Sequence, residues 1–379
     1  MGWTDKGMSD KTKILFMHNT AMWYRIPFFQ KIADMYDLDL VFTHFDVISS
    51  IYNESSDHKI KGLEDVNYEI INEKHKQTIA KKAMGDYDVI VAGSWDTLGE
   101  LIETIIVFTI SKLRRKPMLI WREDWDWKKN DNIKEKLLTC IIKFLTRNCS
   151  GMIVPGSIHK EYFLKLGVKD ENIQIMPNVS NIKGCDENIT KSKTHKKIVY
   201  VGRLIKRKGV IYLIKAYKQL RCELDDIELI IIGEGDEEKS LKEYIKQNNI
   251  CDVTFTGKID NQDLKEYYRD ANVVVIPSID EGMGDPWVFV LNEAMYYSTP
   301  VVATDVVGAA YDMIDNNGYI VKQRNSKELH DAIYKIITDN NLEEAMSKRS
   351  KEIINMKFQY TNMTDAFKCA VDKVIKKID

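Results

Sequence analysis

The sequence predicts an α/β protein built as two doubly wound domains, on three observations. At 379 residues the chain is longer than one ordinary core organises, so two domains of roughly 150–200 residues are the default. Two stretches repeat one rhythm, in which short β-branched runs alternate with helical periods of roughly 10–15 residues. A polar segment with no hydrophobic period, NVSNIKGCDENITKSKTHKK at 178–197, separates them.

The first stretch contains KILFMHNT, LDLVFTHF, YDVIVAGS, PMLIWRED and GMIVPGS; the second contains KIVYVGRL, IELIIIGEG, DVTFTGKI, ANVVVIPS and PVVATDVVG. Most are apolar runs closed by Gly, Ser or a charge. That is the pattern of a strand buried on both faces of a parallel sheet, with helices as crossovers. The expected boundaries are 1–178 for the first domain, 179–195 for the linker and 196–358 for the second domain. Helices are expected near 326–339, 342–353 and 360–377, the last within a segment 359–379 that returns to the first domain. Ligands of open parallel sheets sit outside the carboxyl ends of the strands. Two such domains facing each other make a cleft lined by the strand-end loops of both.

Composition excludes several classes. Lys and Arg number 55 against 57 Asp and Glu, a net charge of −2, so nothing global points to nucleic acid. Six cysteines lie scattered without a CxxC pair, which favours incidental thiols in a reducing, cytoplasmic setting. The polar start MGWTDKGMSDKTK and the short run ILFMH make no signal peptide. Met-Gly lacks the Ser or Thr of a myristoylation signal at its sixth position. No run reaches about 18 apolar residues, so no membrane-spanning helix is expected. Between 112 and 147 basic residues outnumber acidic ones, and IKEKLLTCIIKFLTRN reads as a helix apolar on one side and cationic on the other. It reads as a domain-packing helix or as a peripheral contact with the inner face of the cell membrane.

The chemistry-bearing residues cluster at strand ends. In VYVGRLIKRKGV a strand closes at Gly202, Arg203 and Lys208 follow five residues apart, and Gly209 opens the next helix. A strand-to-helix turn with two cations suits a diphosphate; with Lys206 and Arg207 also charged, it reads equally as a basic surface loop. EGMGDPWVFVLNEAM at 281–295 holds Glu281, Asp285 and Glu293. Pro286 suits a first helical turn, which makes Asp285 an N-cap and places Glu293 two turns in, as a ribose ligand or a solvated surface residue. In the first domain His18, Asn19 and Thr20 close one strand, while Trp95 and the run Arg122, Glu123, Asp124 close two others. Tryptophans beside carboxylates suit sugars, whose CH faces stack on indoles while hydroxyls meet carboxylates; packing at a domain edge is the other reading.

Taken in order, VGRLIKRKG, LIIIGEGDEEKSL, VTFTGKIDNQDLKEYYRDANVVVIPS and DPWVFVLNEAMYYSTPVVATDVVG resemble glycosyltransferase family 4, the retaining GT-B transferases of the glycosyl transferases group 1 type. YRIPFF (24–29), GMIVPGSIHKEYFLKLGV and IQIMPNVSN extend the resemblance over nearly the whole chain. It implies the GT-B architecture, two Rossmann-like domains facing across a cleft. It also implies transfer of a sugar from a nucleoside-diphosphate sugar, UDP- or GDP-hexose, to a glycan or lipid-linked acceptor in cell-surface polysaccharide or glycolipid biosynthesis. No permanently bound cofactor is expected.

By that resemblance Arg203 and Lys208 hold the diphosphate, Glu293 binds the ribose hydroxyls and Asp285 lies near the donor sugar. Gly202, Gly235, Lys258, Glu281 and Gly284 complete the donor side; His18, Asn19, Trp95, Arg122 and Glu123 form the acceptor side. The two cations do the work of a divalent ion, so no metal is expected, with DWD at 124–126 the nearest candidate triad. Two departures stand out. Asp285 replaces the commoner Glu, an arm shorter by one methylene. Val288 stands where the family has a glycine that lets backbone approach the donor; the loop 281–287 with Gly282 and Gly284 would then supply that approach, and Glu281 would be the reserve ligand for the sugar. A GT-B nucleotide-sugar epimerase and a non-catalytic partner subunit are the alternatives. An NAD enzyme fits poorly, because GEG at 233–235 lacks the dinucleotide fingerprint.

Overall fold

The computed structural model describes residues 11–20, 22–44, 62–71, 76–125, 133–182, 195–261 and 263–377. Most of the expected linker, 183–194, lies outside them, as do the polar start before residue 11, Cys185, Asp126 and Trp127.

Thirteen strands are described: β1 (Lys13–His18), β2 (Asp37–Phe42), β3 (Tyr68–Ile70), β4 (Val89–Ala92), β5 (Met118–Trp121), β6 (Gly151–Val154), β7 (Ile173–Ile175), β8 (Lys196–Val201), β9 (Ile227–Ile232), β10 (Val253–Gly257), β11 (Val273–Ile276), β12 (Val301–Thr304) and β13 (Gly318–Val321). They form one sheet in the order β3-β2-β1-β4-β5-β6-β7 and a second in the order β10-β9-β8-β11-β12-β13. All pairings between these strands are parallel. The runs VIVA, GMIV and VVVI are buried throughout, as strands covered on both faces require. Edge strands β3, β7 and β13 add to the ten runs legible in the sequence; their burial is mixed, without the continuous apolar run that marks the inner strands.

In each sheet the strand order reverses beside its first strand, between β1 and β4 and between β8 and β11. A crevice opens outside the carboxyl ends of such a pair. His18–Thr20 and Gly93–Asp96 leave one switch point; Gly202, Arg203 and Ser278 leave the other.

The C-terminal helices are Ser326–Thr338, Asn340–Lys357 and Tyr360–Ile375. The middle one begins earlier than its apolar period because Asp339 caps it, accepting from the backbone of Asn341 and Leu342. The last packs on the first sheet. Met363, Phe367, Ala370, Val371 and Val374 join the core of Phe16, Phe28 and Phe29, and the Phe367 ring lies 5.7 Å from Phe16 and 5.5 Å from Phe28. Phe367→Ala is expected to cost about 3–5 kcal/mol, read as a lower denaturation midpoint with unchanged m.

Helix Ile133–Asn148 departs from the expected two-sided pattern. Ile142 and Leu145 face the core, whereas Ile133, Leu137 and Phe144 are exposed together with Lys136, Lys143 and Arg147. No described helix is long and apolar enough to cross a membrane.

Candidate functional site

At the end of β8 the chain turns at Gly202 (φ +154°) and nests against the loop after β9. A Cβ on Gly233 would lie 2.0 Å from the Gly202 carbonyl oxygen, and one on Gly235 2.3 Å from that of Leu204, so this backbone-to-backbone approach requires glycine. A single turn, Lys206–Lys208, leads through Gly209 (φ +63°) into helix Val210–Glu223. That turn presents Arg207 and Lys208 to Asp285: Arg207 Nη1 donates to Oδ1 at 2.7 Å, and Lys208 Nζ to Oδ2 at 2.5 Å. Ser278 Oγ, beyond β11, also donates to Oδ2 at 2.8 Å.

Burial works against the Asp285 charge, yet Lys208 and Arg207 more than offset it and hold the carboxyl below its usual range. The Lys208 ammonium is pulled down by burial, with Arg207 and Arg203 adding to the effect against Asp285. Both directions have one cause. A single buried carboxylate faces several cations at a helix N-terminus, where the backbone dipole adds positive potential. Such a cluster is set up to receive a polyanion.

Asp285 is therefore not the N-cap that its place before Pro286 suggested. Helix Phe289–Tyr296 starts three residues after Pro286 with Val288 at its cap. Asp285 instead bridges in parallel to Val307, and its side chain is taken up by the two cations and Ser278. Val288 has an extended φ of −119° and is 7% exposed within the core, so the backbone here places no demand for glycine. The shorter helix also sets Glu293 in its second turn. Glu293 is not a solvated surface residue: Ser180 Oγ donates to it at 3.1 Å and the Tyr268 hydroxyl at 2.6 Å. Burial pushes its pKa up to about 7, against the two hydroxyl donors.

Beside the loop that carries Asp285, a cavity of about 460 Å³ is lined by the ends of β1, β4 and β5 and by residues 282–284 and Pro286 of the second domain. Arg25 donates to Asn178 Oδ1 at 2.9 Å and to Glu123 Oε1 at 2.7 Å and lies 4.1 Å over Trp121. Arg122 donates to Asp124 at 2.6 Å and to Asp96 at 2.7 Å and lies 4.5 Å over Trp95. Burial opposes the Arg122 charge, but Asp124 and Asp96 raise its pKa above the ordinary value. His18 Nδ1 lies 2.8 Å from the Thr20 carbonyl oxygen; burial, then Arg25, lowers its pKa to about 3, so the ring is neutral at pH 7.

The domains meet around these groups. Asp312 accepts from the Ser157 backbone at 2.9 Å, Asn292 Nδ2 donates to the Asn178 carbonyl at 3.0 Å, and the rings of Tyr24 and Phe289 lie 3.9 Å apart.

Residues 185–353, most of the second domain, match the family model of glycosyl transferases group 1. Over those residues the chain is similar to the glycosyl transferases group 1 family. An uncharacterized glycosyltransferase of Methanocaldococcus jannaschii is 27% identical over 57% of this chain and 58% of its own length. The capsular polysaccharide biosynthesis glycosyltransferase CapM of Staphylococcus aureus is 30% identical over 46% of each chain. The chain thus spans less than two thirds of either relative's length. The solved structure of HepE from Anabaena in complex with UDP superposes with a TM-score of 0.74 at 18% identity, covering 95% of this chain and all of that one. The two sheets and this likeness make the fold GT-B.

Within the second domain, the expected donor residues are only partly gathered. Gly202, Arg203, Lys208 and Asp285 come together; Arg203 is exposed, and the Tyr200 hydroxyl donates to its carbonyl at 2.9 Å. Glu293 lies at the domain seam through Ser180. Gly235 and Lys258 follow β9 and β10; the Lys258 backbone donates to Glu234 at 3.3 Å. Glu281, the reserve ligand, is engaged by Lys206 at 2.9 Å and Arg324 at 2.8 Å, and hydrogen bonds to these two lower its pKa. The close approach at Gly284 is to Trp125: a Cβ there would lie 2.1 Å from the indole.

On the opposite face His18, Asn19, Arg122 and Glu123 line the cavity. Trp95 does not. It is buried beneath Arg122 and donates to Asp124 at 3.1 Å, so the guanidinium occupies the indole face that a sugar would need. Arg207, Ser278, Tyr268 and Ser180 were missed by sequence reasoning. The available signals were a third cation in the turn and a Ser closing β11; of the contacts to Glu293, that of Ser180 comes from the segment joining the domains and that of Tyr268 from the packing of helix Leu264–Asp270 on helix Phe289–Tyr296.

Proposed function

We propose that this chain is a retaining, metal-independent glycosyltransferase that moves a hexosyl group from a UDP- or GDP-sugar to a glycan or lipid-linked acceptor. The observation that carries the reading is the pairing of Arg207 and Lys208 with one buried carboxylate at a helix N-terminus, with Arg203 exposed in the same turn. Breaking the bond between a sugar and a diphosphate develops negative charge on the β-phosphate, and preorganised cations stabilise it where it appears. Glu293 accepts hydrogen bonds from the ribose diol, and Asp285 positions Arg207 and Lys208. Closure of the cleft limits hydrolysis of the donor.

Thermal unfolding with UDP, GDP and ADP tests the donor side. A nucleotide at 100 times its Kd adds about 2.7 kcal/mol, and no stabilisation by any of the three would sink the reading. Incubating UDP- and GDP-hexoses with and without glycan or lipid acceptors separates transfer from epimerisation: transferred product requires the acceptor, whereas free or epimerised sugar would form without it.

Membrane contact belongs to the same proposal. Ile133, Leu137 and Phe144 are exposed among Lys136, Lys143 and Arg147, the mixed face of an interfacial helix at an anionic cytoplasmic leaflet. Sedimentation with phosphatidylserine vesicles is expected to fall several-fold for Phe144→Ser and on raising salt; equal binding by neutral vesicles would count against it.

A further inference from the structure

The cavity beside the loop that carries Asp285 is charged oppositely to the cation cluster. Five carboxylates line it against two guanidinium groups, and His18 adds none at pH 7. Asp96 and Asp124 are held by Arg122, and Glu123 by Arg25. Glu100 closes a capping box with Thr97, accepting from the Thr97 backbone at 2.8 Å. Glu103 remains. It is buried, and one of its oxygens lies 3.0 Å from Nε2 of the equally buried His44. The other oxygen carries no hydrogen bond among the described residues.

Two more polar groups stand beside this carboxylate without partners. Thr20 and Ser94 line the same cavity, and the hydroxyl of each is buried with no hydrogen-bond partner among the described residues. An unmade buried hydrogen bond is costly, so these groups are suited to a ligand that both donates and accepts. Thr20 follows β1, His44 follows β2 and Ser94 follows β4; the Ser94 backbone is fixed at 3.0 Å by Thr104, the neighbour of Glu103 on helix Leu98–Leu113. The group therefore sits at the switch point of the first sheet, where a ligand is expected on topological grounds.

We infer that Glu103, with Thr20 and Ser94, forms an acceptor subsite that selects hydrogen-bond-donating sugars without anionic groups, amine-bearing rings ahead of neutral ones. This rests on the transferase reading and narrows its acceptor. An ammonium or hydroxyl donates to the open oxygen of Glu103, whereas a uronate or sugar phosphate meets a surplus of carboxylates. The cleft is polarised: the diphosphate is drawn to the second domain and repelled from the first, which orients the donor as it enters.

The test is saturation-transfer NMR on the full chain saturated with UDP at pH 7 in low salt, titrating glucosamine, glucose, glucuronate and glucose 6-phosphate. Glucosamine is expected to bind at least tenfold tighter than glucuronate, with glucose between them. Glu103→Gln should narrow that ratio to below about threefold, and so should 0.5 M salt on the unmodified chain, which needs no variant to fold. Equal binding of glucuronate or glucose 6-phosphate and glucosamine, or no binding by any of the four, would overturn the subsite. Failure of UDP to bind would overturn the transferase reading instead, while the order among the sugars would still report on the cavity.

Discussion

Arg203→Ala is expected to lower transferase turnover by 10²–10³, the usual loss when one preorganised group facing developing charge is removed, while the unfolding midpoint stays within about 0.5 kcal/mol of the parent because the residue is exposed. Lys208→Ala should lose turnover to a similar extent and stability as well. Its ammonium is buried against Asp285, and hydrogen bonds to charged groups contribute about 1.5–3 kcal/mol. Asp285→Asn should be the most destabilising, by about 3–5 kcal/mol, because it leaves several cations clustered without their carboxylate. The ranking is the informative part. A basic surface loop would show small, similar effects at all three positions, whereas a phosphate site built around a buried counter-ion separates them. Wild-type turnover in Arg203→Ala would end the assignment of this cluster to the donor.

The same cluster shows how far the sequence could be read. Apolar runs closed by Gly, Ser or charge located ten of the described strands, because a parallel sheet buried on both faces writes itself as continuous β-branched residues. The short edges β3, β7 and β13 left no such trace. Arg203, Lys208, Asp285 and Glu293 were all legible by position, but their roles were only partly so. Asp285 looked like a cap because Pro286 follows it, and local propensity is a weak guide once three long-range partners, Arg207, Lys208 and Ser278, compete for the carboxylate. Trp95 looked open because its neighbours are polar; Arg122 covers it from another strand. Glu103 was invisible for the same reason. It lies mid-helix among apolar residues, and its meaning depends on His44, beyond the end of β2, and on a cavity that tertiary packing creates.

Glu293 is expected to make both stability and nucleotide affinity depend on pH near neutrality. Its carboxyl holds a proton up to about pH 7 in the folded chain, against an ordinary value of 4.5. Between those values the native state binds more protons than the unfolded state, so this contribution is full below about pH 4.5 and is lost as pH rises through 7. A shift of this size corresponds to roughly 3 kcal/mol. Glu293→Gln, which cannot ionise, should unfold at a midpoint that changes less between pH 5 and 8 than the parent's.

Nucleotide binding reverses the direction. A ribose diol donates to the ionised carboxylate, whose oxygens can accept further bonds beside those from Ser180 and Tyr268, so the bound state favours the anion. UDP affinity should then rise by close to tenfold per pH unit below 7 and level off above it, with up to one proton released on binding near pH 6. The terminal phosphate, with a pKa near 6, titrates in the same range, so the decisive quantity is the parent's pH slope minus that of Glu293→Gln. Calorimetry in buffers of different ionisation enthalpy gives both slopes. Identical slopes in the two proteins would place the ribose away from Glu293, whatever the fate of the phosphate cluster.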